Sequence, residues 1–283
     1  MEMNEMTMLC SKIDKADLQV FARIGKGKWI GEEKFDGDRM KLSFINGKLT
    51  LYNRRGVEVT EKYPELHSFT ADMDCVLDGE VCVIDDNGVS QFNEGIAFRS
   101  HCKSPDSIAT AAVNYPITYV AFDILEIDGD DMKAFGWHER RKQLETLEIK
   151  SNSVIISQYD YDIMKIWTEV TAKGGEGIIL KKIDGRYMEN KRSSIWKKVK
   201  DLKESEIRIT KYSENPAGIR VETDDGIACQ VSGYHAPPVK AALDTNGELQ
   251  ITIRHLGWTG KKFRQPTYLR MEESETEIRQ EII

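Results

Sequence analysis

The run Glu32-Glu33-Lys34-Phe35-Asp36-Gly37-Asp38-Arg39 holds the side chains of this chain best suited to chemistry. An uncharged lysine amine is a nucleophile that can attack phosphorus. Asp36, two residues on, can orient that amine or a metal ion. Gly37 lets a ligand or another backbone approach closely, and Arg39 can fork onto a pair of ligand oxygens. Asp-Gly is also a common turn pair, so by itself the run fits a surface turn between strands. The partners that attack on phosphorus needs decide between these readings.

Clustered cations and partial burial favour the uncharged form of a lysine. The phosphorus needs positive charge around its oxygens, and a divalent metal needs hard carboxylate ligands. Asp78-Gly79-Glu80 places carboxylates at alternate positions of a strand, on one face. Phe122-Asp123 puts a ring and a carboxylate on opposite faces of another, where the ring alone reads as core packing. Glu176-Gly177 opens a buried strand with a carboxylate, which calls for a partner such as a metal. Trp196-Lys197-Lys198-Val199-Lys200 sets Lys198 and Lys200 on one face, costly unless an anion lies between them. Phosphate is the natural anion.

The elements that position these groups follow from pattern and length. The chain has 283 residues, 31% charged and 40% hydrophobic, enough for about two domains. Alternating runs flank Asn46-Gly47 across residues 40–52, a strong hairpin signal, so Lys34 is expected just before a strand. Further strands are predicted over 76–84, 117–127, 177–180 and 195–199. Helices are predicted over 137–147, with Arg140, Arg141 and Lys142 on the polar side, and around Ile163, Ile166, Trp167 and Val170, a stripe that reads as core. Past Leu202 the texture becomes β only, with short runs at 207–210, 218–222, 227–231 and 249–255 and a hairpin at Asp224-Asp225-Gly226. Mixed helices and strands followed by strands alone predict an α+β fold, residues 1–201, ahead of a small β-barrel of OB type, residues 202–283.

Composition removes other classes. No apolar run approaches the ~18 residues of a membrane span. The start, Met1–Cys10, lacks the basic and apolar pattern of a secretory signal. Cys10, Cys75, Cys82, Cys102 and Cys229 form no C-x-x-C pair, which fits reduced thiols in a cytoplasmic protein. The net charge of −7 weighs against a nucleic-acid partner, but local clusters exist at Lys181-Lys182, Lys191-Arg192, Lys197-Lys198, Lys200 and Lys261-Lys262-Phe263-Arg264. Each cluster alone reads equally as a solvated face.

Taken in order, these stretches resemble the motifs of ATP-dependent DNA ligases, within the covalent nucleotidyltransferase superfamily that also holds RNA ligases and mRNA-capping enzymes. The matching stretches are Lys34-Phe35-Asp36-Gly37-Asp38-Arg39, Asn53-Arg54-Arg55-Gly56, Leu77-Asp78-Gly79-Glu80, Phe122-Asp123-Ile124-Leu125 with Asp128-Gly129, Glu176-Gly177-Ile178-Ile179-Leu180-Lys181 and Trp196-Lys197-Lys198-Val199-Lys200. Thr259-Gly260-Lys261-Lys262-Phe263-Arg264-Gln265-Pro266 resembles the last motif. The resemblance implies a nucleotidyltransferase (ATP-grasp-like) adenylation domain followed by the OB fold. It implies ATP and Mg²⁺ or Mn²⁺ as cofactors, nicked duplex DNA as partner, and a monomer in the cytoplasm, of the host if the source is viral. Lys34 would take AMP, Glu32 would sit by the adenine and Phe122 would stack on it. Arg39 and Glu80 would contact the ribose side, and Arg54 the phosphates of nucleotide or nick. Lys198 and Lys200 would hold the α-phosphate, and Glu176 with Asp78 or Glu80 would support the metal. Arg192 matches an arginine that commonly precedes the lysine pair.

The resemblance is imperfect at the end. Where the last motif usually closes with Arg, Asp and Lys, this chain has Glu272-Glu273-Ser274, which leaves Arg264 or Arg270 to orient pyrophosphate. With 33 residues ahead of Lys34, a minimal ligase is expected, using ATP rather than NAD. The longest candidate for an inserted DNA clasp is Gly233–Gly247, which contains Pro237-Pro238. The alternatives are an RNA ligase, an mRNA-capping nucleotidyltransferase, and a non-catalytic nucleic-acid-binding module. The Phe-Asp-x-Leu stretch and the Thr-Gly-Lys…Arg-x-Pro ending favour the DNA enzyme, and the intact lysines and glutamates speak against the binding module.

Overall fold

The computed structural model describes residues 7–271. The chain divides into two compact units, Met1–Lys200 and Asp201–Ile283. In the first unit the strands are β1 (Leu9–Lys12), β2 (Trp29–Glu33), β3 (Asp38–Ile45), β4 (Lys48–Asn53), β5 (Thr70–Ala71), β6 (Cys75–Cys82), β7 (Thr118–Ile127), β8 (Asp130–Asp131), β9 (Ile149–Lys150), β10 (Val154–Ile156), β11 (Tyr159–Asp160), β12 (Gly177–Lys182) and β13 (Arg192–Lys200). Its helices are α1 (Leu18–Ile24), α2 (Ala97–His101), α3 (Pro105–Asn114), α4 (Trp137–Thr146) and α5 (Ile163–Ala172).

Two sheets carry the site. One runs β1-β13-β12-β2-β11 and the other β10-β7-β6-β3-β4. The chain passes from the first to the second between β2 and β3, and Lys34 lies in that crossing. The β3–β4 hairpin turns at Asn46 and Gly47, both at positive φ (52° and 74°), as a tight two-residue turn requires.

Apolar layers fix the sheets. Behind the first sheet, Leu18 of α1 and Ile163, Ile166, Trp167 and Val170 of α5 pack on Ile178, Leu180 and Val199. Helix α5 starts where Asp162 Oδ1 accepts from the N–H groups of Met164 (3.1 Å) and Lys165 (3.0 Å), a side-chain cap. Met40, Leu42, Leu51, Leu77, Tyr119 and Ala121 anchor the core of the second sheet. A small separate layer of Met8, Val76, Leu125, Tyr187 and Trp196 joins residues of both sheets.

The reading of α4 needs correction. Arg140 and Arg141 do not lie on a polar face; both are buried. Arg140 forks onto Asp123 at 2.7 and 2.8 Å, and Arg141 Nη2 donates to the carbonyl of Ser157 at 2.6 Å. Paired guanidinium groups can be buried where lone ones cannot, and hydropathy pattern does not reveal the pairing.

The second unit holds β14 (Lys203–Ile209), β15 (Lys211–Asn215), β16 (Gly218–Glu222), β17 (Ala228–Ser232), α6 (Ala236–Asn246), β18 (Leu249–His255) and β19 (Thr267–Met271). The path is β14-β18-β19-β17-β16-β15. Only Thr210 separates β14 from β15, so one long bent strand pairs β18 with its first half and β16 with its second, which closes the sheet on itself. The parallel contact of β17 with β19 and the helix between β17 and β18 complete an OB-type barrel. Ile207, Ile219, Val221, Val231, Ile251 and Ile253 fill it.

The segment Gly233–Gly247 is a short 3-10 turn followed by α6, not an extended clasp. Pro237 and Pro238 stand in the first turn of α6, where a missing N–H costs nothing. Glu272-Glu273-Ser274 and the acidic tail to Glu281 lie outside the described residues. No helix among the described residues is long and apolar enough to cross a membrane, and the five cysteines are free.

Candidate active site

Lys34 is held at backbone and side chain. Its N–H donates to the carbonyl of Gly177 at 2.8 Å, and its Nζ donates to Glu176 Oε2. The other Glu176 oxygen takes Lys200 Nζ at 2.7 Å. A carboxylate whose side chain is 2% exposed thus lies between two ammonium groups, which offsets its desolvation. Gly177 makes this approach possible. Its φ is +141°, and a Cβ there would meet the Val199 carbonyl oxygen at 2.1 Å. Gly37 likewise admits close contact, since a Cβ would lie 2.2 Å from the Val81 oxygen.

Strand register builds one wall. Glu32 pairs with Ile179, which pairs with Lys198, so these three form a row across the sheet. Two positions along, Lys181 pairs with Trp196 on the same face, because side chains alternate. Burial lowers the pKa of Lys198, and the neighbouring Lys200 and Lys34 lower it further.

The other sheet supplies the opposite wall. Arg39 stands across from Glu80. Arg39 Nε donates to Asp78 Oδ1 at 2.9 Å, its Nη2 to Oδ2 at 2.6 Å, and its Nη1 to the Met8 carbonyl at 2.8 Å. Tyr187 donates its hydroxyl to the same Oδ2 at 2.6 Å. Both oxygens of this fully buried carboxylate are committed to Arg39 and Tyr187, so Asp78 positions Arg39. Glu80 has no such fork among the described residues: burial pushes its pKa up to about 7, against the pull of Lys34 and Arg39.

Phe122 meets Trp196 edge to face with ring centroids 6.1 Å apart. The Arg39 guanidinium lies 5.2 Å from the Phe122 ring. Lys181 Nζ lies 4.7 Å from that ring and 4.4 Å from Trp196. It donates to Glu32 Oε2 at 2.8 Å and to the Phe122 carbonyl at 2.9 Å.

Together these walls enclose a cavity of about 230 Å³. Of the residues singled out in the sequence, Glu32, Lys34, Arg39, Arg54, Glu80, Phe122, Arg192 and Lys198 line it. Glu176 reaches it through its contact with Lys34, Lys200 stands beside it through Glu176, and Asp78 stands behind Arg39. Asp36 is buried off the cavity, its N–H donating to Ser90 Oγ at 2.8 Å. Arg264 and Arg270 belong to the second unit. Burial lowers the pKa of Arg264, and Arg270 is exposed, 3.8 Å from Glu204.

Sequence reasoning missed Lys181, Trp196, Leu9 and Cys10 as cavity residues. Alternation along β12 and β13 was the available signal for Lys181 and Trp196. Nothing marked Leu9 and Cys10, which enter because β1 runs parallel to β13 and the Cys10 carbonyl accepts from Arg192 Nη1 at 2.6 Å. The basic clusters also separate by parity. Lys181 turns inward, Lys182 pairs with Asp184 at 2.9 Å, and Lys197 lies 5.4 Å from the Phe21 ring.

Among the described residues no group of three or more His, Cys, Asp or Glu forms a cation cage. Magnesium commonly takes one or two carboxylates and completes its shell with phosphate oxygens and water. Glu176 in contact with Lys34, and Glu80 within its field, fit that sparse donor set.

The comparisons with known proteins agree with this architecture. A family model described as ATP dependent DNA ligase domain matches residues 7–200. The chain is 34% identical over 199 residues to the SPbeta prophage-derived DNA ligase-like protein LigB of Bacillus subtilis, covering 70% of each. It is 32% identical over 209 residues to the bifunctional non-homologous end joining protein LigD of the same organism, covering 66% of this chain and 34% of that protein. The chain thus spans about a third of the length of that LigD protein. Among solved structures, mycobacterial DNA ligase D complexed with ATP and MES superposes with a TM-score of 0.61 at 22% identity, with 96% of each chain covered. A Lig E DNA ligase gives a TM-score of 0.67 at 17% identity, covering 95% of this chain and 99% of that one. The fold is that of a nucleotidyltransferase domain followed by an OB barrel. The chain belongs to the ATP-dependent DNA ligase family.

Proposed function

We propose that this protein joins a 5′-phosphate to a 3′-hydroxyl at nicks in duplex DNA, using ATP and passing through a lysyl–AMP intermediate on Lys34. The observation that carries this reading is the placement of the Lys34 amine. It stands at a cavity with Glu32, Lys181, Trp196 and Lys198 on one wall and Arg39, Glu80 and Phe122 on the other. Glu32 and Phe122 receive the adenine, and Arg39 and Glu80 receive the ribose. Lys198 and Lys200 neutralise the α-phosphate while Lys34 Nζ attacks it and pyrophosphate leaves. Glu176 holds Nζ in line and accepts hydrogen bonds from both Lys34 and Lys200.

AMP then passes to the 5′-phosphate at the nick, where Arg54 and Arg192 lie at the exposed rim of the cavity. The 3′-hydroxyl attacks the activated phosphate, and AMP leaves more readily than a bare phosphate oxygen would. Mg²⁺ held by Glu80 and Glu176 would add charge on the phosphate oxygens. Arg264 or Arg270 of the second unit orients the leaving pyrophosphate. The protein works as a cytoplasmic monomer.

Incubation with ATP labelled at the α-phosphate, with GTP in parallel, followed by nicked DNA or nicked RNA, tests this. Label is expected on Lys34 from ATP, and to move only onto nicked DNA. Labelling by GTP alone, or transfer to RNA alone, points to a capping or RNA-joining enzyme. Lys34→Ala is expected to abolish labelling while leaving the circular dichroism spectrum unchanged. Label retained in that variant would place the nucleophile elsewhere.

A further inference from the structure

Glu32 is held in a way that the family motifs do not describe. Its side chain is 2% exposed, and its two oxygens are treated differently. Oε2 accepts from Lys181 Nζ at 2.8 Å and from Ser157 Oγ at 3.2 Å. Oε1 is buried and has no hydrogen-bond partner among the described residues. A buried acceptor without a partner is costly unless a ligand supplies the donor. Glu32 lines the cavity, so a donor arriving there is the natural partner.

Ser157 is itself fixed. Arg141 Nη1 donates to its Oγ at 3.2 Å and Arg141 Nη2 to its carbonyl at 2.6 Å, while Arg141 Nε binds Glu145 at 2.7 Å. With Arg141 donating into Ser157 Oγ, the hydroxyl proton is left to point at Glu32. A chain of hydrogen bonds from Arg141 through Ser157 to Glu32 therefore runs from α4 through the segment between β10 and β11 to the cavity, and Lys181 donates to the same Glu32 oxygen.

We propose that Ser157, oriented by Arg141, is a positioning residue that together with Lys181 occupies Glu32 Oε2 and reserves Oε1 for a donor on the nucleotide base. Adenine carries an amino group at position 6 and guanine a carbonyl oxygen there. The reserved acceptor thus selects the first and repels the second. This inference rests on the proposed adenylation reaction. It assigns a part in base selection to Ser157 and Arg141, which lie outside the motif stretches.

The test compares ATP with purine riboside triphosphate, which lacks the 6-amino group, and with GTP, in Lys34 labelling. Wild type is expected to prefer ATP over the purine analogue in kcat/KM by about 10- to 100-fold, the range for a hydrogen bond to a charged group. In Ser157→Ala the backbone acceptor for Arg141 remains, so the fold is retained. The ATP KM is expected to rise roughly tenfold, with kcat at saturating ATP nearly unchanged and the purine-analogue KM unmoved, so the preference collapses. Ser157→Cys, near-isosteric with a weaker donor, is expected to collapse it in the same direction and serves if the alanine variant unfolds. Equal loss for both nucleotides would mean that Ser157 is merely structural, and an unchanged preference would mean that it does not position Glu32; either overturns the proposal. Failure of the underlying readings looks different. Wild type that ignores the 6-amino group removes base reading by Glu32 altogether, and wild type that never labels Lys34 removes the adenylation reading.

Discussion

At Glu80 the protonation state is set by a contest among burial, Lys34 and Arg39, and burial prevails, raising the pKa from 4.5 to about 7. Between those two values the folded protein binds a proton that the unfolded chain has released. Stability therefore falls as pH rises through that window, since stability rises with pH only where the unfolded state binds more protons. Melting of the nucleotide-free protein is expected to show this decline between pH 4.5 and about 7, and Glu80→Gln, which cannot ionise, is expected to lose that component. An identical pH profile in the variant would mean that Glu80 ionises normally. Asp78, two residues earlier, shows the opposite solution. Its charge is matched by Arg39 in a fork with both oxygens engaged. The two carboxylates look alike in sequence, and their partners separate an open site group from a positioning one. Partners were legible for neither. Asp-Gly-Glu announces two carboxylates, but only the third dimension brings Tyr187 onto the first.

Elements transmit register to the site, and β12 carries most of it. Glu32, Ile179 and Lys198 share one row because β2, β12 and β13 pair without a slip, and Gly177 is the residue that lets β12 begin so close to β13. Gly177→Ala would force a Cβ to 2.1 Å from the Val199 oxygen in a backbone conformation that L side chains rarely adopt. A loss of roughly 2–3 kcal/mol is expected, together with loss of adenylation, because the Lys34 N–H bonds the Gly177 carbonyl. Urea unfolding checks the first part and labelling by ATP the second; a variant as stable as wild type would show that the strand can shift at no cost. The face shared by Lys198 and Lys200 was legible from alternation along the strand, and the helix around Ile163, Ile166, Trp167 and Val170 from its apolar spacing, whereas the pairing of three strands into rows was not. What escaped has physical causes. In β1, Leu9-Cys10-Ser11-Lys12 has no alternation and pairs only through a distant strand. In α4 the arginines are buried because Asp123 and Ser157 neutralise or accept from them, and both lie far off in sequence. In α6 the Pro-Pro pair reads as a loop until its place in the first helical turn is known.

Across the whole molecule the division of labour follows from where the cores lie. The clusters around Met40 and Tyr119, around Trp167 and Val199, and around Met8 and Trp196 are all made within the first unit, whereas Ile207, Val221 and Ile251 belong to a core of the second. Each unit thus has the closed apolar interior that independent folding needs. Every residue that lines the cavity falls between Leu9 and Lys198. A chain ending at Lys200 is therefore expected to unfold cooperatively on its own and to bind ATP with an affinity of the same order as the full chain, read by quenching of tryptophan fluorescence, since Trp196 lies in the cavity wall. Binding and chemistry are expected to part in this fragment. If Arg264 or Arg270 orients the pyrophosphate, labelling of Lys34 slows by roughly 100-fold, the usual loss when one charge-stabilising donor is removed. Full-rate labelling by the fragment would remove both arginines from the first step. Failure to bind ATP would instead mean that the barrel completes the nucleotide site. Slow labelling with intact binding would place the second unit's contribution in the transition state rather than in the capture of ATP.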